Sequence, residues 1–148
     1  MEDISDVLDK NPFGAQIFIF NKNLHKYLSK GLKPYDIDII QGLFLLRIYY
    51  HPNLSQNNLA EAFYLSKGTV AKNLRKLEDK QLVIRERLPE NRRKYKLNIT
   101  NTGKELIPII KKQRELWENA MGLDKVDPEF FKIIKELTIK SIKINEND

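Results

Sequence analysis

The sequence predicts a mostly α-helical protein with one small β-hairpin: a helix-turn-helix and its wing, set between flanking helices. Three observations predict it. Apolar residues recur at helical spacing along most of the 148 residues. Between residues 82 and 100 the pattern switches to alternation around a proline-led turn. Caps and prolines punctuate the helical stretches.

The first helix is expected after Asn11-Pro12, with Asn11 as N-cap and Pro12 at the first helical position. Phe13, Ile17, Phe20, Leu24 and Leu28 form its stripe, and Gly31 offers a left-handed stop. Ile19 and Tyr27 widen the apolar arc, so this helix needs more than one partner surface, a hint of a subunit contact. The acidic start, "MEDISDVLDK", lacks the basic and apolar regions of a signal peptide. After the linker "LKPYDID", Asp38 and Gln41 make a capping box for a helix that His51-Pro52 ends.

Ser55 caps a short helix with Leu59, Ala60 and Phe63 inward, and Tyr64-Leu65 form a turn. Ser66 caps a longer helix with Val70, Leu74 and Leu77 inward. A short helix, a tight turn and a longer helix make a helix-turn-helix. At about 100° per residue, Gly68, Lys72, Arg75 and Asp79 lie opposite the inward stripe, with Thr69 and Lys76 at the margin. Small residues at the front allow close approach to another surface, and Lys67, Lys72, Arg75 and Lys76 suit negative charge.

The strands "LVIRERL" and "KYKLNIT" follow, joined by Pro89, Glu90 and Asn91. Arg92, Arg93 and Lys94 sit at the tip. Consecutive cations on a tight turn repel one another, and an A·T-rich minor groove is a surface that would hold them. Thr100 or Asn101 caps a long helix that Pro108 should bend, with Leu106, Ile109, Ile110, Leu116 and Trp117 on its apolar side. Asp127-Pro128 opens the last helix, striped by Phe130, Phe131, Ile134, Leu137 and Ile144 and ending in polar residues expected to fray.

Charge is concentrated where these motifs lie. Residues 51–100 carry 11 lysines and arginines against 5 acids, while the segments on either side are each balanced, so the whole net charge of +6 sits in the middle third. A basic block on a neutral scaffold suggests a polyanion-binding module. A solvated lysine-rich surface would carry the same charge, so the helix-turn-helix and wing must decide. With no cysteine, thiol redox control and thiolate metal sites are excluded. Two separated histidines, His25 and His51, and one isolated glycine at Gly68 give no catalytic constellation, metal site or cofactor loop. No apolar run approaches membrane-spanning length, so the expectation is a cytoplasmic non-enzyme without a cofactor. The isoleucine, lysine and asparagine usage fits an A·T-rich prokaryotic genome.

The run from Leu54 to Leu106 resembles the MarR family of winged helix-turn-helix regulators. The resemblance rests on "LEDKQLVIR" from Leu77 to Arg85, "PENRR" from Pro89 to Arg93, and "ITNTG" from Ile99 to Gly103, at the family's spacing. It implies a regulator of transcription, most commonly a repressor, that is released by a small aromatic or phenolic effector. It implies a homodimer on palindromic double-stranded DNA. Residues 1–37 and 101–148 would then serve dimerisation and residues 38–100 would form the DNA-binding domain. It implies that Ser66, Lys67, Gly68, Thr69, Lys72 and Asn73 enter the major groove, that Arg92 or, more, Arg93 enters the minor groove beside Lys94, and that Ser55 and Gln56 touch phosphate, as Arg75 and Lys76 would by their charge. Phe20, His25 and Tyr27 are candidates for the effector pocket, against the simpler reading that they form a dimer core or face solvent. The family usually has Asp at position 91 and Arg at position 76, bracing the wing; Asn91 and Lys76 would weaken that brace. Gln81 stands where the family places a helix-ending glycine. The rival reading is a winged helix used for protein contact or as a chromatin component without sequence preference.

Overall fold

The computed structural model describes residues 2–146. It contains two compact units, divided between Arg114 and Glu115.

The first unit begins with a short helix that the sequence did not announce, α1 (Ile4–Asp9), capped by Asp3, whose Oδ1 accepts the Ser5 N–H at 3.1 Å. Helix α2 (Phe13–Leu32) follows with Pro12 as its N-cap. Asn11 was expected there; its side chain instead donates to the Val7 carbonyl at 3.1 Å and closes α1. Helix α2 also runs through Gly31. That glycine is needed for closeness, not for a left-handed turn: a Cβ there would overlap the Gln113 carboxamide. A 3-10 turn (Lys33–Tyr35) follows, and Asp36 takes the left-handed position at φ 54°.

Helix α3 (Ile39–Tyr50) carries the expected capping box: the Gln41 N–H donates to Asp38 Oδ1 at 2.8 Å, and Gln41 Oε1 accepts from the Asp38 N–H at 3.4 Å. Ser55 and Asn58 repeat the device at the start of α4 (Gln56–Phe63), at 3.0 and 3.1 Å. Helix α4 ends at Tyr64, held left-handed at φ 50°. Helix α5 (Lys67–Asp79) is capped by Ser66, whose Oγ accepts the Thr69 N–H at 3.2 Å. Phe44, Leu45, Ile48, Leu59, Val70, Leu74 and Leu77 are all buried at the centre of the core. Each such side chain contributes roughly 2–3 kcal/mol by burial, enough to fix the angle between the two motif helices.

Helix α5 ends in two bonds: the Leu82 N–H reaches the Leu77 carbonyl at 2.9 Å, and the Gln81 N–H reaches the Glu78 carbonyl at 2.8 Å. This is the Schellman arrangement, and it needs a left-handed residue between them. Gln81 supplies it at φ 58°, so the helix stops where a glycine would have stopped it.

Strands β1 (Val83–Leu88) and β2 (Asn91–Ile99) form the antiparallel wing, with Val83 opposite Ile99 and Arg87 opposite Tyr95. The Leu97 N–H also donates to the Leu54 carbonyl at 2.7 Å, tying the base of the wing to the chain just before α4. Helix α6 (Asn101–Ala120) starts in the first unit and ends in the second. Thr100 is its cap: Oγ1 accepts the Gly103 N–H at 3.0 Å and donates to the Gln81 carbonyl at 2.7 Å. Gly103 lets the helix press on the Leu82 carbonyl, where a Cβ would collide and also lie 2.6 Å from Ile99 Cγ1. The helix continues through Pro108, with Ile107 and Ile110 buried.

In the second unit, a 3-10 turn (Leu123–Lys125) precedes α7 (Pro128–Glu146). Asp127 caps α7 as expected, accepting the Glu129 N–H at 2.9 Å. No residue of α7 is buried in the single chain. The helix holds to Glu146, so the polar end is helical where fraying was expected; its last two residues lie outside the described range.

Candidate nucleic-acid interface

Helix α5 presents the face the sequence indicated. Ser66, Lys67, Gly68, Lys72, Arg75 and Lys76 are exposed, and Thr69 is half-buried. Gly68 has open space around it, with nothing within 4 Å of a Cβ built there. The Ser66 and Thr69 hydroxyls share a hydrogen bond of 2.9 Å at the helix start.

Asn73 is placed differently from the expectation. It is only 6% exposed, and its Nδ2 donates to the Thr69 carbonyl one turn back at 2.9 Å. The position lies between Val70 and Leu77 on the inward side, so its amide satisfies the helix backbone rather than facing outward.

The wing tip has an irregular register. Arg87 pairs with Tyr95, but the next pair is Leu88 with Asn91. Residues 92–94 have no counterpart on β1, so Arg92, Arg93 and Lys94 form a three-residue bulge, and all three are exposed. The turn itself is only Pro89-Glu90, because Asn91 already belongs to β2. The Asn91 side chain accepts the Arg93 N–H at 3.1 Å and shapes the bulge from within.

Lower in the wing, the cations have partners. Lys96 pairs with Glu86 at 3.3 Å, and Arg87 lies over the Tyr95 ring at 5.5 Å from its centre. Arg85 meets Glu78 of α5 and donates through Nη1 to Gln56 Oε1 of α4 at 3.2 Å. Among the described residues, no carboxylate pairs with Lys67, Lys72, Arg75, Lys76, Arg92, Arg93 or Lys94. The outer face of α5 and the wing tip thus present seven exposed cations with no carboxylate partner, on elements adjacent in the chain.

A groove of about 310 Å³ joins the start of α4 to the wing, lined by Ser55, Gln56, Asn57, Arg85, Arg93 and Lys94 among others. Helix-start N–H groups and two unpaired cations meet there, which is a setting for a phosphate. Gln56 lines this groove while its amide oxygen is engaged by Arg85. Arg85 holds a regular place in β1, and nothing local in the sequence marks it as a residue that reaches two helices. Lys76 lines a second cleft, of about 570 Å³, with Lys33, Asp36, Asp38 and Lys80. The brace between wing and recognition helix thus runs through Arg85 and Glu78, and the Asn91 contact is to Arg93.

Phe20, His25 and Tyr27 are all exposed on α2. Phe20 and Tyr27 share a face, but His25 lies about 140° round the helix from Phe20, so the three do not make one wall. The cavities described here are lined by other residues.

The MarR family profile matches residues 39–95, which include every proposed DNA-facing residue from Ser55 to Lys94. A crystal structure of MarR is 33% identical, with a TM-score of 0.73, and the match covers 90% of this chain and 99% of that one. The chain belongs to the MarR family. The HTH-type transcriptional regulator BilQ of Clostridioides difficile (strain CD3) is 29% identical over 82% of this chain and 83% of its own length. The S. aureus MepR–DNA complex, at 22% identity, shares the fold, with a TM-score of 0.78 over 90% of this chain and 98% of that one. The MarR assignment covers the helix-turn-helix, the wing and the helices around them. Among the described residues, no helix is long and apolar enough to cross a membrane.

Proposed function

We propose that this MarR-family protein is a homodimeric, sequence-specific regulator of transcription that binds palindromic double-stranded DNA. Helix α5 enters the major groove with Ser66, Lys67, Gly68, Thr69 and Lys72. The bulge at Arg92, Arg93 and Lys94 reaches the adjacent minor groove. Ser55, Gln56, Arg75 and Lys76 meet phosphates. The observation that supports the reading best is the set of seven exposed cations without a carboxylate partner on α5 and the wing tip, beside the groove at the start of α4.

Dimerisation is supported by apolar side chains that the single chain leaves uncovered. On α2 these include Phe13, Phe18 and Phe20, and on α7 Phe130, Phe131, Leu137 and Ile144. Uncovered apolar surface of this kind seeks a partner. A dimer would set two copies of α5 about one helical turn apart, roughly 34–36 Å. Repression, relieved by a small aromatic effector, is the mode the family resemblance favours.

Selection from a random duplex pool tests the proposal. Enrichment of a two-fold symmetric site supports it; recovery of no preferred sequence would mean a non-specific winged-helix protein instead.

A further inference from the structure

The end of α5 is tied on two sides. Lys80, its C-cap, folds back against the segment that leads from α2 into α3. Its ammonium donates to the Asp36 main-chain carbonyl and to Gln41 Oε1 at 3.2 Å, and it lies 3.6 Å from the Asp36 carboxylate. The next residue, Gln81, gives its carbonyl to the Thr100 hydroxyl at 2.7 Å, at the start of α6. Two consecutive residues thus fasten the recognition helix to the end of α2 and to the beginning of α6.

Lysine normally keeps its charged head in water. Only 29% of this side chain is exposed, and the carboxamide it meets belongs to Gln41, itself 2% exposed. Gln41 Oε1 also accepts the Asp38 N–H at 3.4 Å, so one buried oxygen closes the cap of α3 and receives the end of α5. The body of α5 is held by Val70, Leu74 and Leu77, an apolar stripe whose attraction has no direction. Hydrogen bonds have direction, so the Lys80 contacts fix a tilt that the stripe leaves open. At the opposite end of the helix, a Cβ built on Gly68 meets nothing within 4 Å.

We propose that Lys80 is a positioning residue: it sets the angle of α5 against α2 and, through that angle, the half-site spacing that a dimer accepts. Helix α5 has 13 residues and is about 20 Å long. A turn of about 10° about Lys80 moves its front by roughly 3 Å, close to the rise of about 3.4 Å per base pair. A small freedom at the tie is therefore enough to blur spacing by one base pair. The spacing role rests on the function proposed above; the angle between the helices does not.

The angle is measured first, on the full chain without DNA. The sequence has no cysteine, so Lys22→Cys on α2 and Lys72→Cys on α5, both at exposed positions, carry two nitroxide labels. Each labelled protein is diluted into its own unlabelled counterpart, so that pulsed spin-label distances report within one chain. The parent and Lys80→Arg should give one narrow distance distribution, and Lys80→Met a broader or displaced one. Asp36→Asn, which keeps the carbonyl and removes only the carboxylate, should fall between them. Circular dichroism melts check folding, and the Asp36 variant carries the test if the methionine one does not fold. A Lys80→Met distribution equal to the parent's overturns the tie.

The second arm uses the selected duplex and versions with one base pair added or removed between its halves. The parent should prefer its best spacing by about tenfold or more, and Lys80→Met by about threefold or less, with Lys80→Arg restoring the preference. Equal loss of affinity at every spacing would make Lys80 merely structural and overturn the proposal, as would an unchanged preference in Lys80→Met. If the parent prefers no duplex at all, the DNA reading falls together with the spacing role, and the label distances alone uphold or overturn the tie.

Discussion

The Arg85 guanidinium on β1 joins two helices at once, bonding Glu78 of α5 through Nε and Gln56 of α4 through Nη1 at 3.2 Å. Both members of the Arg85–Glu78 pair keep only 28% of their side-chain surface exposed, so solvent screens the pair less than it would at the open surface. Arg85→Ala should lower stability by about 1–2 kcal/mol, read as a drop in the urea midpoint. A double-mutant cycle with Glu78→Gln isolates the pairwise part; single losses that simply add would mean the contact contributes nothing. DNA affinity should fall as well, because the same residue sets the wing against α4.

Gln81 at φ 58° carries left-handed strain of about 1 kcal/mol or slightly more. Gln81→Gly removes that strain but gives the unfolded chain more freedom. A net gain of about 0.5 kcal/mol is expected. Gln81→Val should destabilise instead, since a β-branched residue tolerates that backbone least. Thermal melts of the two variants that move in the same direction would contradict the assignment of the strain.

Two glycines should respond oppositely to alanine. Gly103→Ala drives a Cβ into the Leu82 carbonyl and should cost about 2–3 kcal/mol. Gly68→Ala meets open space and should leave stability unchanged or raise it by about 0.5 kcal/mol. The same Gly68→Ala change should weaken DNA binding, because the methyl group stands between the front of α5 and the groove. A gel-shift affinity equal to the parent's would place Gly68 away from the DNA.

Each phosphate contacted adds about 0.9 to the negative slope of log K against log salt. Arg93→Gln removes one cation from each subunit of a dimer, so the slope should fall by nearly 2. Glu90→Gln, next to the tip, should strengthen binding slightly. A slope unmoved by Arg93→Gln would take the wing off the phosphate and groove path.

Much of the fold could be read from local signals. Ser55, Ser66, Asp38 and Asp127 each cap the helix they were expected to cap, because a short side chain with an acceptor beside an apolar period has few other uses. The inward stripe Val70, Leu74 and Leu77 is buried for the same periodic reason. What escaped depends on tertiary neighbours. Asn73 reads as polar and outward by type, yet its angle puts it inside, where it returns its donor to the Thr69 carbonyl. Gly31 looks like a stop until Gln113 from a distant helix is seen to need the space. Arg85 and Arg47 are ordinary alternating or periodic residues in the sequence; only packing shows that one bridges two helices and the other lacks a partner. Helix α1 escaped because its six residues bury nothing, so no apolar period marks it.

The bulge of residues 92–94 lies outside the paired ladder, while Tyr95 and Leu97 remain in register below it. Lengthening or shortening that tip by a residue need not rotate Leu97 out of the core, as the same change within a regular strand would. Reach toward a ligand and integrity of the scaffold are thus uncoupled at this one place, and loop-length variants there offer a way to retune target choice in a protein that still folds.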